Sequence, residues 1–334
     1  MRLLFVIVLS TLSNFIFAQG CCSGGAGSPI AGGAATGVLQ ENQMELSINY
    51  QFNQSNKFFN EHKEATPLFN NLRSDYLFFR VDYGLSKKLT LSVASGYFLD
   101  KSKIGKDNSD TISSNGVGDL IVFPRYSVYN KTANFKRTAV VIGLGFKIPL
   151  GAHNDSSVTI PASSWNPDDI YHMNPPMLQV TNGSQDLMFN SFFFREYQKS
   201  KLRFFISSLY VKKGYNSLGI KYGDYTSVGF FASKTFFYRW GVTAQIKAEN
   251  IGQIKAAENI DLVDYNIYPE STGSKKWFFI PQLSYSQNGL TVFATSEIPL
   301  YQYLNGTQVG SQNQFTVGVN YRFLTKKCED PPLN

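Results

Sequence analysis

The sequence predicts an all-β fold, a transmembrane antiparallel β-barrel of about 12 strands with short turns at one rim and long loops at the other. Three observations carry this. Twelve alternating or apolar segments of roughly 10 to 14 residues follow one another, the length of a tilted bilayer-crossing strand rather than the five or six residues usual in soluble sheets. Their connections take turns between short and long. Composition agrees: charged residues make up 16% and aromatics 15%, with 28 Phe and 19 Tyr, where typical soluble domains carry roughly 25% charge. No run of about 18 apolar residues follows the N-terminus, which argues against membrane helices. The aromatic and β-branched content excludes disorder for most of the 334 residues.

The opening stretch MRLLFVIVLSTLSNFIFAQG sets Arg2 before an apolar run and a small residue, Ala18, before Gln19. That order is a secretory signal peptide over residues 1–18, and the polar Thr11, Ser13 and Asn14 weaken the rival reading as a signal anchor. Residues 19–43 form a Gly/Ala-rich lead. Its core, SGGAGSPIAGGAATG, reads equally as a periplasmic tail and as a plug folded into the lumen. No Lys-Ser/Thr follows these glycines, so they make no phosphate loop.

The barrel is expected over residues 44–323, with a periplasmic tail at 324–334. The first segment, MELSINYQF, sets Met44, Leu46, Ile48, Tyr50 and Phe52 against Glu45, Ser47, Asn49 and Gln51. SDYLFFRVDYGL, LTLSVASGYFL, GVGDLIVFPRYSVY and TAVVIGLGFKIPL follow. SQDLMFNSFFFREY and LRFFISSLYVKK are apolar on both faces, which predicts a partly greasy or plugged lumen beside them. DYTSVGFFASKTF leads to GVTAQIKAEN, where Val242, Ala244, Ile246 and Ala248 oppose Thr243, Gln245, Lys247 and Glu249. KWFFIPQLSYSQ, LTVFATSEIPL and QFTVGVNYRF complete the set. One face wants lipid and the other a polar lumen, and only a closed barrel satisfies every backbone group at membrane depth.

Tight connections are read at Ser86–Lys88, around Lys199, near Trp240 and at Asn288-Gly289, a dipeptide suited to a two-residue hairpin. NKTANFKR, residues 130–137, reads as somewhat longer. Long loops are read at 53–73, 100–116, 151–183, 214–223, 251–275 and 300–313. An even strand count puts both chain ends at the short-turn, periplasmic rim. Tyr83, Tyr97, Trp277 and Tyr321 fall near strand ends as interfacial girdle residues. Pro124 and Pro281 lie inside strands, each removing a ladder donor, which predicts a bulge or kink.

Strand parity points ten charges inward: Glu45, Arg80, Asp82, Asp119, Arg125, Lys147, Lys247, Glu249, Glu297 and Arg322. Five are acidic and five basic, so the lumen reads as a paired network or one suited to weakly charged solutes rather than an ion-selective pore. Phe192, Phe194 and Phe205 are expected to give solutes an apolar surface in the upper, external part of the lumen. The net charge of +7 is spread in pairs such as Lys87-Lys88 and Lys326-Lys327, without a nucleic-acid-reading motif, so no nucleic-acid partner is expected.

His62, His153 and His172 fall in long loops without metal-ligand spacing, and a serine hydrolase would need a His on the wall that no barrel segment carries. The chain reads as a non-enzyme without cofactor or metal. Cys21, Cys22 and Cys328 lie at the two ends of the mature chain. Three readings stay open: a disulfide from Cys328 to one of the pair, lipid attachment at Cys21, or a soft-metal pair.

Two resemblances follow from quoted residues. QFTVGVNYRF, ending in Tyr-x-Phe, resembles the C-terminal strand by which outer-membrane proteins engage the barrel assembly machinery, which implies that partner through Gln314–Phe323 and a Gram-negative outer membrane. GVGDLIVFPRYSVY, VVIGLGFKIPLGAHN and QVTNGSQDLMFNSFFFREY, with Gly116, Gly118, Asp119, Pro149, Gly151, Gly183 and Asp186, look like strands of the outer-membrane transporter family linked to meta-pathway phenol degradation. That family is similar to the long-chain fatty-acid transporters. It implies passage of hydrophobic or aromatic compounds and an N-terminal plug. The function expected is passive uptake of small solutes. The alternative is a barrel that presents loop 151–183, whose stretch SSWNPDDIYHMNPP carries Trp165, Tyr171 and three prolines, to a partner.

Overall fold

The computed structural model describes residues 37–106, 111–160 and 168–326. The signal peptide, nearly all of the Gly/Ala-rich lead, Trp165, Cys21, Cys22 and Cys328 lie outside them. Twelve antiparallel strands form the wall: β1 (Gln43–Ser55), β2 (Asn71–Gly84), β3 (Leu89–Ile104), β4 (Asp119–Ala133), β5 (Lys136–Pro149), β6 (Asp186–Tyr197), β7 (Leu202–Lys212), β8 (Tyr225–Phe236), β9 (Trp240–Ile251), β10 (Ser274–Gln287), β11 (Leu290–Val309) and β12 (Gln314–Leu324). Each pairs with its chain neighbours, and the ring closes where β12 runs along β1 from Gln43↔Leu324 to Asn53↔Gln314. Among the described residues no helix is long and apolar enough to cross a membrane.

The pleat decides which face each residue takes. On β1, Glu45, Ser47, Asn49 and Gln51 are buried inside the ring while Leu46 and Ile48 are exposed outside it. On β12, Gln314, Thr316 and Asn320 point in, and Phe315, Val317, Val319 and Tyr321 point out. Polar residues inside and an apolar outer wall invert the pattern of a water-soluble barrel. The solvent that favours such a wall is hydrocarbon, and closure of the ring leaves no unpaired edge to it. Tyr97, Trp277 and Tyr321 stand exposed on that outer wall.

Five tight turns share one rim with both ends of the barrel. NKTANFKR is as tight as the others: β4 runs to Ala133 and β5 starts at Lys136, so only Asn134 and Phe135 turn, both with positive φ (49° and 59°). Asn288 (φ 49°) and Gly289 (φ 81°) make the same turn with the residues that fit it best. The stretch 300–313 differs more from the sequence reading. β11 continues to Val309 above the wall and pairs there with the loop strand Phe58–Glu61, leaving only 310–313 as connection.

Neither wall proline makes a bulge. Pro124 faces Leu91 on β3, but on the β5 side pairing stops at Val122↔Phe146 and resumes in unchanged register at Arg125↔Gly143. Pro281 faces Ala244 on β9, and on the β11 side pairing is missing between Phe279↔Ile298 and Gln282↔Thr295. Each removes a donor, and the ladder answers with a two-residue gap. The register shifts of the wall fall at Asp75/Tyr76, Ser127/Tyr129 and Trp277/Phe278, the last two a few residues along the proline strands. Next to the first gap the Phe123 ring lies flat against β5, where a Cβ on Gly145 would stand 2.1 Å from it. That close approach is what this position requires of glycine.

The long loops fold over the opposite rim. Met177 and Leu178 pack with Phe58, Phe69, Leu72 and Val309. A second cap joins Ile220 and Tyr222 to Ile254, Leu262 and Ile267, with Met173 against it.

Candidate functional site

The site is the lumen, and its residues fall into charged networks, an aromatic patch and two chain segments that cross it. All ten charges named from parity stand in ion pairs. At the short-turn rim Arg322 meets Glu45 at 2.5 Å, Glu45 meets Arg80 at 3.3 Å, Arg80 meets Asp82 at 2.9 Å and Asp82 meets Arg125 at 2.9 Å. Arg80 also reaches Ser47, so its planar donor fork spans β1 and β2. Farther up, Lys247 bridges Glu249 at 3.4 Å and Glu297 at 2.9 Å, joining β9 to β11, with the Tyr225 hydroxyl donating to Glu249 at 3.2 Å.

At the long-loop rim Lys147 lies 2.8 Å from Asp119 and 2.9 Å from Asp186, which also holds Lys213 at 2.9 Å. Asp186 and Lys213 were absent from the parity-derived charges. The alternation of DLMFNSF puts Asp186 on the inward face with Met188 and Asn190, but Lys213 lies past the end of β7, where alternation gives no signal. Burial, and then the neighbouring Lys147 ammonium, pushes the Lys213 ammonium down from its ordinary value against the pull of Asp186.

Phe192, Phe194 and Phe205 do form one surface, with ring centroids 5.8 Å apart for Phe192–Phe205 and 5.3 Å for Phe194–Phe205, and Phe231 edge-on to Phe205 at 6.0 Å. Its height corrects the expectation. β6 descends from Asp186 at the long-loop rim to Tyr197, and β7 climbs from Leu202. Phe194 and Phe205 therefore lie in the short-turn half of the lumen and Phe192 near its middle, none of them at the long-loop mouth. Phe205→Ala is expected to lower the unfolding free energy by about 3–5 kcal/mol, read from denaturant unfolding in micelles. A cost below about 1 kcal/mol would mean that the patch is not close-packed.

The chain itself lies on this patch. Val38 packs against Val141, Phe192 and Phe205, the Gly37 carbonyl accepts from Arg125 Nη1 at 3.0 Å, and the Leu39 amide donates to Thr90 Oγ1 at 2.7 Å. The second segment is Asn174–Thr181, buried throughout and ending the loop after β5. Val180 joins Tyr76, Phe98, Ile121 and Met188 across the lumen. Gln179 holds the fold, its side-chain Nε2 donating to the Asp155 and Asn174 carbonyls at 2.9 Å while its main-chain carbonyl accepts from Lys101 Nζ at 2.6 Å. Of the prolines in that loop, Pro175 and Pro176 fold inward, whereas Tyr171 stands exposed on a hairpin of Ser156–Ile160 and Ile170–Met173.

His153 meets Ser217 at 2.9 Å in the loops, and His62 and His172 are exposed. Among the described residues no group of three or more His, Cys, Asp or Glu could hold a metal ion.

The sequence matches no protein-family model and no curated protein. Its fold does match solved structures. An outer membrane channel from Pseudomonas putida F1 superposes with a TM-score of 0.63 at 12% identity, over 87% of this chain and 99% of that one. The NanC porin gives 0.44 at 14% identity, over 83% and 98% of the two chains, and the TodX monoaromatic hydrocarbon channel 0.41 at 11%, over 86% and 91%. The likeness to the first shows the architecture, a closed antiparallel barrel of the outer-membrane type. At this identity it assigns no solute.

Proposed function

We propose that this chain is an outer-membrane channel for passive uptake of small solutes, hydrophobic or aromatic compounds among them. The observation that supports this most is the inner surface itself. The three charged networks balance at six acidic and six basic groups and so set no sign by which to select an ion, with Lys276 on Ser311 as a further buried cation. The aromatic patch offers an apolar foothold to a neutral solute. Val38 and Val180 come from segments outside the wall, so either can leave without a barrel ladder being broken. The reading includes the long loops facing outward, the short turns facing the periplasm, a cleaved signal peptide, and the assembly machinery engaging Gln314–Phe323. The resemblance to the transporter family linked to phenol degradation supports the choice of solute.

The test is solute flux into liposomes carrying the purified mature chain, with and without residues 19–40. Flux of a neutral aromatic solute is expected to rise several-fold on truncation, by analogy with removing any ordered obstruction from a preformed site. Equal and negligible flux in both forms would sink the reading. The exposed Tyr171 hairpin favours a second one, a barrel presenting loop 151–183 to a partner. Protease cleavage of that loop on intact cells, with solute flux unchanged, would favour it.

A further inference from the structure

We propose that the short-turn rim carries a binding site for an acidic glycerophospholipid, on the arc formed by the β4–β5, β6–β7 and β8–β9 turns. The proposal rests on the membrane placement of the wall and not on transport. Its first support is a turn built from the wrong residues. Phe237 and Tyr238 both have positive φ (46° and 61°), the two central positions of a tight hairpin that favour Asn and Gly. Bulky side chains are strained in that region. The same rim takes two successive positive φ values at Asn288 and Gly289, in a connection one residue shorter, so such a turn does not demand aromatics. Both rings are 85% exposed, which returns little to folding beyond what a surface cation over Tyr238 supplies. Strain held for exposed rings points to something outside the chain that covers them.

The second support is charge. Lys201 Nζ stands 3.2 Å above the centre of the Tyr238 ring, Lys199 4.5 Å above Phe135, Lys234 5.3 Å above Phe236 and Lys136 5.8 Å above Tyr197. Backbone bonds from Gln198 to the Phe135 carbonyl (2.9 Å) and from Thr235 to the Lys201 carbonyl (3.3 Å) lay the three turns side by side. Across residues 126–141, 194–205 and 231–243 the single acidic residue is Glu196, which is held by Arg203 at 3.5 Å. The arc is therefore cationic at the level where the apolar wall ends. The other turns of this rim lack the combination: Ser86–Lys88 brings lysines without aromatics, and Asn288-Gly289 brings neither.

Exposed rings at the rim of the apolar wall, with ammonium groups standing over them, match one ligand, a phosphodiester headgroup with its glycerol and upper acyl chain. An acidic protein would satisfy the lysines but would leave the rings facing lipid.

The test is native mass spectrometry of the full chain in nonionic detergent, titrated in parallel with phosphatidylglycerol and phosphatidylcholine. The wild-type chain is expected to retain the acidic lipid at least about fivefold better, the scale that a few juxtaposed cations give at a lipid surface. Phe237→Asn with Tyr238→Gly is expected to keep or raise the thermal midpoint, because it relaxes the turn, while cutting that preference to below about twofold. Lys199→Gln with Lys201→Gln, which leaves the turn residues in place, is expected to do the same. Equal retention of the two lipids by the wild-type chain would overturn the proposal, and so would an undiminished preference in both variants.

Discussion

Arg80→Met is expected to lower the unfolding free energy of the barrel by about 3–5 kcal/mol, the usual result of removing one partner from a buried ionic network. The Arg80 side chain is 2% exposed, and the carboxylates it holds, Asp82 and Glu45, are 1% and 2% exposed. Methionine fills most of the volume, so the loss comes from charge and not from a cavity. Asp82 keeps Arg125 and Glu45 keeps Arg322, which sets a ceiling on the damage. The exposed pair Lys57–Glu64 on the loops serves as control, since Lys57→Ala is expected to change stability by less than about 1 kcal/mol. Guanidinium unfolding in micelles measures both. Equal, small effects would mean that water reaches the base of the lumen.

Exchanging residues 174–181 for an equal length of Gly and Ser is expected to raise single-channel conductance several-fold in planar bilayers. The segment supplies Val180 to the cluster that spans the lumen and Leu178, fully buried, to the cap above it. Its position depends on the Gln179 side chain and on Thr181, whose amide donates to the Ala152 carbonyl at 3.0 Å. A Gly/Ser stretch has neither the apolar side chains nor the anchors, and it gains conformational freedom. Stability falls with the loss of the buried Met177, Leu178 and Val180 side chains, but the wall strands keep their ladders, so the ring stays closed. Unchanged conductance would place the limiting constriction elsewhere, with Val38 next in line.

The wall was legible in the sequence because it obeys a period of two. Alternation gave the faces of β1, β9 and β12 and the ten inward charges without any knowledge of their partners. Height was harder to read. Phe192, Phe194 and Phe205 were assigned to the right face but the wrong half, although counting down from Asp186 along β6 would have placed them. The Asn134-Phe135 turn looked long because Phe135 is a poor residue for positive φ, and the sheet imposed that conformation on it. Least legible was the filling of the lumen. Val38 joins the cluster of Phe192 and Phe205, and Val180 that of Tyr76 and Phe98, across separations for which a local pattern carries no information. Lys213 was lost for a similar reason, since it acts from a loop.

The two interruptions left by Pro124 and Pro281 lie between β4 and β5 and between β10 and β11, six strands apart in a ring of twelve. They are thus diametrically placed. Each of these ladders still holds twelve paired positions, against six between β3 and β4. The prolines therefore leave two small windows of unpaired backbone on opposite sides of an intact tube, each bordered by bonded strand above and below.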